Sequence, residues 1–101
     1  MASDVESIKD WLLDTGVLDE RAMMRFAKAA KDLNGDFEEH LIDIAYDSID
    51  AESRREATQI ARGSIPEQPS EVLFQCGFLC RDPVEMPEKI RRRLRKRYVP
   101  E

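Results

Sequence analysis

Histidine, cysteine, tryptophan and glycine are scarce in this chain of 101 residues: one His, two Cys, one Trp and four Gly. Each scarcity closes off a class of function. A structural zinc site wants four nitrogen or sulfur donors, and only Cys76, Cys80 and His40 are of the right kind. A thiol nucleophile needs a neighbouring base, and the single histidine lies among acidic residues in sequence. No nucleotide-binding motif is present. No catalytic residue is therefore assigned, and neither a cofactor nor a metal is expected.

Long apolar runs are also missing. Nothing approaches the roughly 20 residues of a membrane-spanning helix. Residues 1–10 carry three acidic side chains where a secretory leader would carry a basic end and an apolar stretch. The expectation is a cytoplasmic chain with reduced thiols and no membrane partner.

What is abundant is charge. Charged residues make up 37% of the chain and apolar ones 42%, enough for a real core in one domain spanning residues 1–101. The net charge of −5 hides a division. Residues 1–56 hold 15 Asp/Glu against 7 Lys/Arg, whereas residues 57–101 hold 6 against 9. An acidic body precedes a basic end.

Apolar periodicity reads as helix throughout. Ser3-Asp4-Val5-Glu6 is a capping box, followed by Val5, Ile8 and Leu12 on one face with Trp11 at its flank and Gly16 as the stop. Asp19 caps a second helix whose stripe is Met23, Phe26, Ala27, Ala30 and Leu33, ended by Asn34-Gly35. Met24 falls off that stripe and is the candidate for an exposed contact. Asp36 caps a third helix, apolar over a wide arc from Phe37 to Ile49, which marks it as central with neighbours on two sides. Ser53-Arg54-Arg55-Glu56 repeats the capping-box pattern for a separate fourth helix ended by Gly63 and Pro66.

Residues 64–70 are an internal linker by composition. The apolar run 72–80 admits helix or strand. A short buried helix is preferred, because no second strand is visible to pair with it. Pro87 suits the first position of a last, basic helix over 87–98, with Ile90, Leu94 and Tyr98 as its apolar stripe. The expected fold is all-α, a compact bundle of five to six short helices.

Two charged features are candidate sites. Arg91, Arg92, Arg93, Arg95, Lys96 and Arg97 put six cations into seven positions. On a helix they surround every side but that of Leu94, a pattern suited to phosphates or to an acidic protein face, and equally to a solvated face that partly folds onto the chain's own acidic body. Against nucleic acid stand the overall negative charge and the lack of aromatic residues within the run. The opposite feature is Asp36, Glu39, Asp43 and Asp47 on the third helix. Like charges at i, i+4, i+8 repel, which is tolerable on a solvated surface and useful where a basic partner covers them.

Asp32, Asn34, Asp36, Glu38, His40 and Asp43 fall on the ligand positions of a calcium loop, but Phe37 stands where that loop turns on glycine, so calcium is not expected. The function expected is a non-catalytic interaction module, an adaptor or inhibitor docking on a larger assembly through the acidic helical face. The alternative is a nucleic-acid-binding accessory protein acting through the basic helix.

Overall fold

The computed structural model describes residues 4–32 and 37–99. Six helices and one small hairpin occupy them: α1 (Asp4–Asp14), α2 (Glu20–Asp32), α3 (Phe37–Ser48), α4 (Ala51–Ala61), α5 (Glu71–Gln75), β1 (Cys80–Arg81), β2 (Val84–Glu85) and α6 (Glu88–Tyr98). The all-α expectation is met. Ser3, Leu33, Asn34, Gly35, Asp36 and Pro100 lie outside the described residues, and with them the first capping box, the second helix's stop, the third helix's cap and part of the calcium-like loop.

Local chemistry sets most boundaries. The Asp19 carboxylate accepts from the Ala22 amide at 2.6 Å and starts α2. Gly16, at φ 76°, makes the left-handed turn after α1 that a residue with a Cβ adopts only under strain. α3 and α4 are separate helices, broken at Ile49-Asp50. The true cap of α4 is Asp50, whose carboxylate accepts from the Ser53 amide at 2.7 Å. Ser53-x-x-Glu56 is therefore not a capping box. Ser53 is buried inside α4, its hydroxyl 3.2 Å from that of Ser70. Glu56 accepts from the Ser70 amide at 3.1 Å instead of reaching back along its own helix. Both residues tie down the far end of the linker 64–70.

The apolar run 72–80 resolves into two pieces. α5 is only five residues long and ends where Gly77 turns at φ 87°. The amides of Phe78 and Leu79 then both donate to the Leu73 carbonyl, at 2.8 and 3.1 Å, which drops Phe78 into the core. Beyond it Cys80 pairs with Glu85 and Arg81 with Val84 in an antiparallel hairpin closed by Asp82-Pro83. The preferred short helix is present, but so is a strand pair, too short to announce itself by alternation. Pro87 stands at the N-cap of α6, one position ahead of its expected place.

Packing follows the apolar stripes. α3 lies against α1, α2 and α6, as its wide apolar arc requires, and α6 in turn packs on α4. Ile8 and Leu12 of α1, Leu41, Ile42 and Ala45 of α3, Ala57 and Ile60 of α4, and Ile90 and Leu94 of α6 are fully enclosed. Removing a Leu or Ile side chain from such a site costs about 2–5 kcal/mol. The basic helix is thus a structural member of the bundle. The radius of gyration is 13.2 Å, the compactness of a folded chain of this length.

Candidate functional site

The two charged features meet each other. α3 and α6 pack side by side, and Lys89, Arg93 and Arg97 of α6, one turn apart, face Glu38, Glu39 and Asp43 of α3. Arg93 donates from Nε to Asp43 Oδ1 at 3.0 Å and from Nη2 to Oδ2 at 2.6 Å, the two-pronged geometry that a planar guanidinium offers a carboxylate. Its third nitrogen reaches Glu39 at 3.2 Å. Arg97 also donates to Asp43, and Lys89 pairs with Glu38. Hydrogen bonding to Asp43 pushes the Arg93 guanidinium further up from its already high value.

Aromatic side chains close this seam at one end. The rings of Tyr46 and Tyr98 stack with centroids 3.9 Å apart, and the Tyr98 hydroxyl points toward Asp43 Oδ1 at 3.4 Å. Burial, then the negative charges of Asp43 and Asp47, push the Tyr98 phenol up to about 12.

The expected acidic docking face is corrected by this arrangement. Asp43 is 6% exposed and fully engaged, and Glu39 is held by Arg93, so neither is offered to a partner. Asp47 is exposed, and Asp36 lies outside the described residues. The cations of the basic helix divide between the seam and the outer surface. Arg93 and Arg97 are spent on the seam and Arg91 is half-buried, while Arg92, Arg95 and Lys96 are exposed on the outer side. Arg92 lies 3.9 Å from Glu88 one turn before it. The reason is geometric: a helix that buries Ile90 and Leu94 must turn the flanking cations at 93 and 97 toward a neighbour, and that neighbour supplies carboxylates at the same one-turn spacing.

The cysteines do not share a helical face. Cys76 caps α5 and is buried, its thiol pushed up to about 11 by burial, whereas Cys80 sits exposed in β1. Among the described residues no group of three or more His, Cys, Asp and Glu side chains converges as a metal site would require. His40 is half-buried, edge-on to Phe26 with centroids 5.6 Å apart. Among those residues, too, no helix is long and apolar enough to cross a membrane.

The remaining surface includes two concavities lined by described residues. A groove of about 230 Å³ between α1 and α2 is lined by Lys9, Leu13, Glu20, Met23 and Met24. Met24 stands at its edge, 74% exposed, as its position off the helix stripe implied. A larger, open cleft of about 500 Å³ lies between α1 and α5, walled by Trp11 and Phe74 and rimmed by Asp10 and Asp14. Sequence periodicity pointed to Trp11 but not to its partner across the cleft, because Phe74 belongs to a helix too short to show a stripe.

No protein-family model, no curated protein and no solved structure matches this chain.

Proposed function

We propose that the chain is a non-catalytic protein-interaction module of the cytoplasm, an adaptor or inhibitor that docks on a larger protein. The observation that carries this reading is Met24. The fold encloses most of its large apolar side chains, yet this one projects 74% exposed beside a groove floored by Leu13 and Met23. Methionine is flexible and polarisable and suits contacts that must adapt to a partner. Arg21, Arg25 and Lys28 surround it on the outer face of α2, so an apolar anchor sits within a polar rim. Cys76 and Cys80 are not joined in a disulfide, in keeping with a reducing compartment.

The test is affinity capture from a nuclease-treated lysate of the source organism, comparing the natural chain with Met24→Glu. The expected result is a defined protein retained by the first and lost from the second, with helix content unchanged by circular dichroism. Equal recovery on both would reject the reading.

A second reading, nucleic-acid association, is favoured by one observation: α6 turns Arg92, Arg95 and Lys96 outward. Cutting the chain after Lys89 would not test it, because that also removes the buried Ile90 and Leu94. Replacing Arg92, Arg95 and Lys96 by Gln leaves the core intact. If this reading holds, retention on RNA or DNA falls steeply with salt and is lost in the triple variant. No retention at low salt eliminates it.

A further inference from the structure

The cleft between α1 and α5 holds a chemistry that neither the seam nor the Met24 groove uses. On one side, α1 presents Asp10 and Asp14 one turn apart, with Trp11 between them. On the other, α5 presents Phe74 and Gln75. Asp10 and Asp14 are exposed, and neither makes a hydrogen bond or ion pair among the described residues. The Trp11 ring is half-buried and has no ring or cation partner among those residues. Two carboxylates and an aromatic face therefore line one hollow.

The same molecule shows what such a pairing holds. Immediately beside the cleft, Arg81 donates to Glu71 at 2.8 Å while its guanidinium lies over the Phe74 ring, 5.8 Å from the centroid. A carboxylate and an aromatic face take a guanidinium between them there. Guanidinium is weakly hydrated, planar and rich in donors, so it can stack on a ring and bond carboxylates at its edge at once. Asp10, Asp14 and Trp11 repeat the pairing in a hollow of about 500 Å³, room enough for a long side chain and its flanking backbone.

We infer that this cleft is a binding site for an arginine side chain carried on an exposed peptide segment of a partner protein. Asp10 and Asp14 accept from the guanidinium, Trp11 stacks on it, and Phe74 and Gln75 close the far wall. The inference rests on the interaction-module reading and assigns it a second contact, separate from Met24. The ligand is arginine rather than a bare cation because both rim and wall are used: a metal ion would gain nothing from the ring, and an ammonium would meet the carboxylates as a point charge.

Trp11 is the sole tryptophan, so its emission reports the cleft directly. The purified chain is titrated with the peptide acetyl-Gly-Arg-Gly-Arg-Gly-amide and, in parallel, with the same peptide bearing citrulline in place of arginine. The expected result is a saturable change in Trp11 emission with the arginine peptide only. Asp10→Asn with Asp14→Asn should weaken it by about tenfold or more, since both charge-assisted acceptors are lost. Glu52→Gln with Glu67→Gln removes the same charge elsewhere and should leave the affinity within about twofold, as distant surface charge is screened. Equal response to the citrulline peptide, no saturation below millimolar peptide, or equal weakening by both double variants would each overturn the site. Sedimentation of the natural chain checks the remaining occupant: self-association abolished by Asp10→Asn with Asp14→Asn would make a second copy the ligand and overturn the proposal. Because the titration uses a synthetic peptide, its failure leaves Met24-dependent capture standing, and loss of that capture leaves the titration interpretable.

Discussion

Arg93 grips both carboxylate oxygens of Asp43, at 3.0 and 2.6 Å, across the interface of two helices fifty residues apart in sequence. Asp43 is 6% exposed and the Arg93 side chain 14%, so the pair is largely withdrawn from water. Exposed ion pairs contribute little, because solvent screens them and their side chains lose entropy. A withdrawn pair behaves differently: removing one partner strands the other in a poor solvent.

Asp43→Leu alone is therefore expected to lower stability by about 2–4 kcal/mol, and Arg93→Met by a similar amount. The double variant should cost less than the sum, because neither partner is left stranded. Glu39 and Arg97 remain in place, which keeps the coupling short of complete. A double-mutant cycle in urea reads the difference, expected at about 1–3 kcal/mol. Additivity within about 0.5 kcal/mol would show that the grip contributes nothing beyond its separate parts.

This pair also marks where the sequence was legible and where it was not. Helix number, the central place of α3 and the exposure of Met24 all follow from apolar spacing, which is local. The seam is not local. Glu39 and Asp43, read alone, form a stripe of like charge that repels itself and suggests a partner. Only the matching stripe of Lys89, Arg93 and Arg97 reveals that the partner is α6 of the same chain. The signal was present as two opposite stripes of equal spacing, but nothing in the sequence says which helices become neighbours. The hairpin at Cys80–Glu85 and the role of Phe74 were hidden for a different reason. Two-residue strands and a five-residue helix are shorter than the window in which a period can be seen.

Alkaline stability should expose the seam through Tyr98. Its phenol is raised from 10.0 to about 12, mainly by burial and then by the charges of Asp43 and Asp47. A raised value means that the folded state favours the protonated phenol. The contribution to stability is complete below pH 10, the unfolded value, and is lost as pH climbs from there through about 12. The chain has two tyrosines, and Tyr46 is shifted upward as well, again chiefly by burial. Absorbance at 295 nm should accordingly show both phenols ionising above the pH of free tyrosine while the fold persists. In Tyr98→Phe the later-titrating phenol should vanish and the fall in stability between pH 10 and 12 should flatten. An unchanged stability profile in Tyr98→Phe would assign the alkaline loss to other groups.

The two thiols should separate by reactivity. A thiolate is the attacking species, so the rate depends on ionisation and on access together. Cys76 is disfavoured on both counts: it is buried beneath the turn at Gly77, and burial holds its thiol near 11. Its Sγ donates weakly to the Leu73 carbonyl at 3.7 Å, inside the bend that delivers Phe78 to the core. Cys80, four residues on, lies exposed in the hairpin. Native protein treated with excess maleimide at pH 7.5 should take up one equivalent quickly, at Cys80, and the second only as the fold opens in urea. Cys80→Ser should abolish the fast phase and leave the urea-dependent one. Two fast equivalents would mean that the segment from Gly77 to Leu79 opens on the timescale of labelling, and that Phe78 does not lock it.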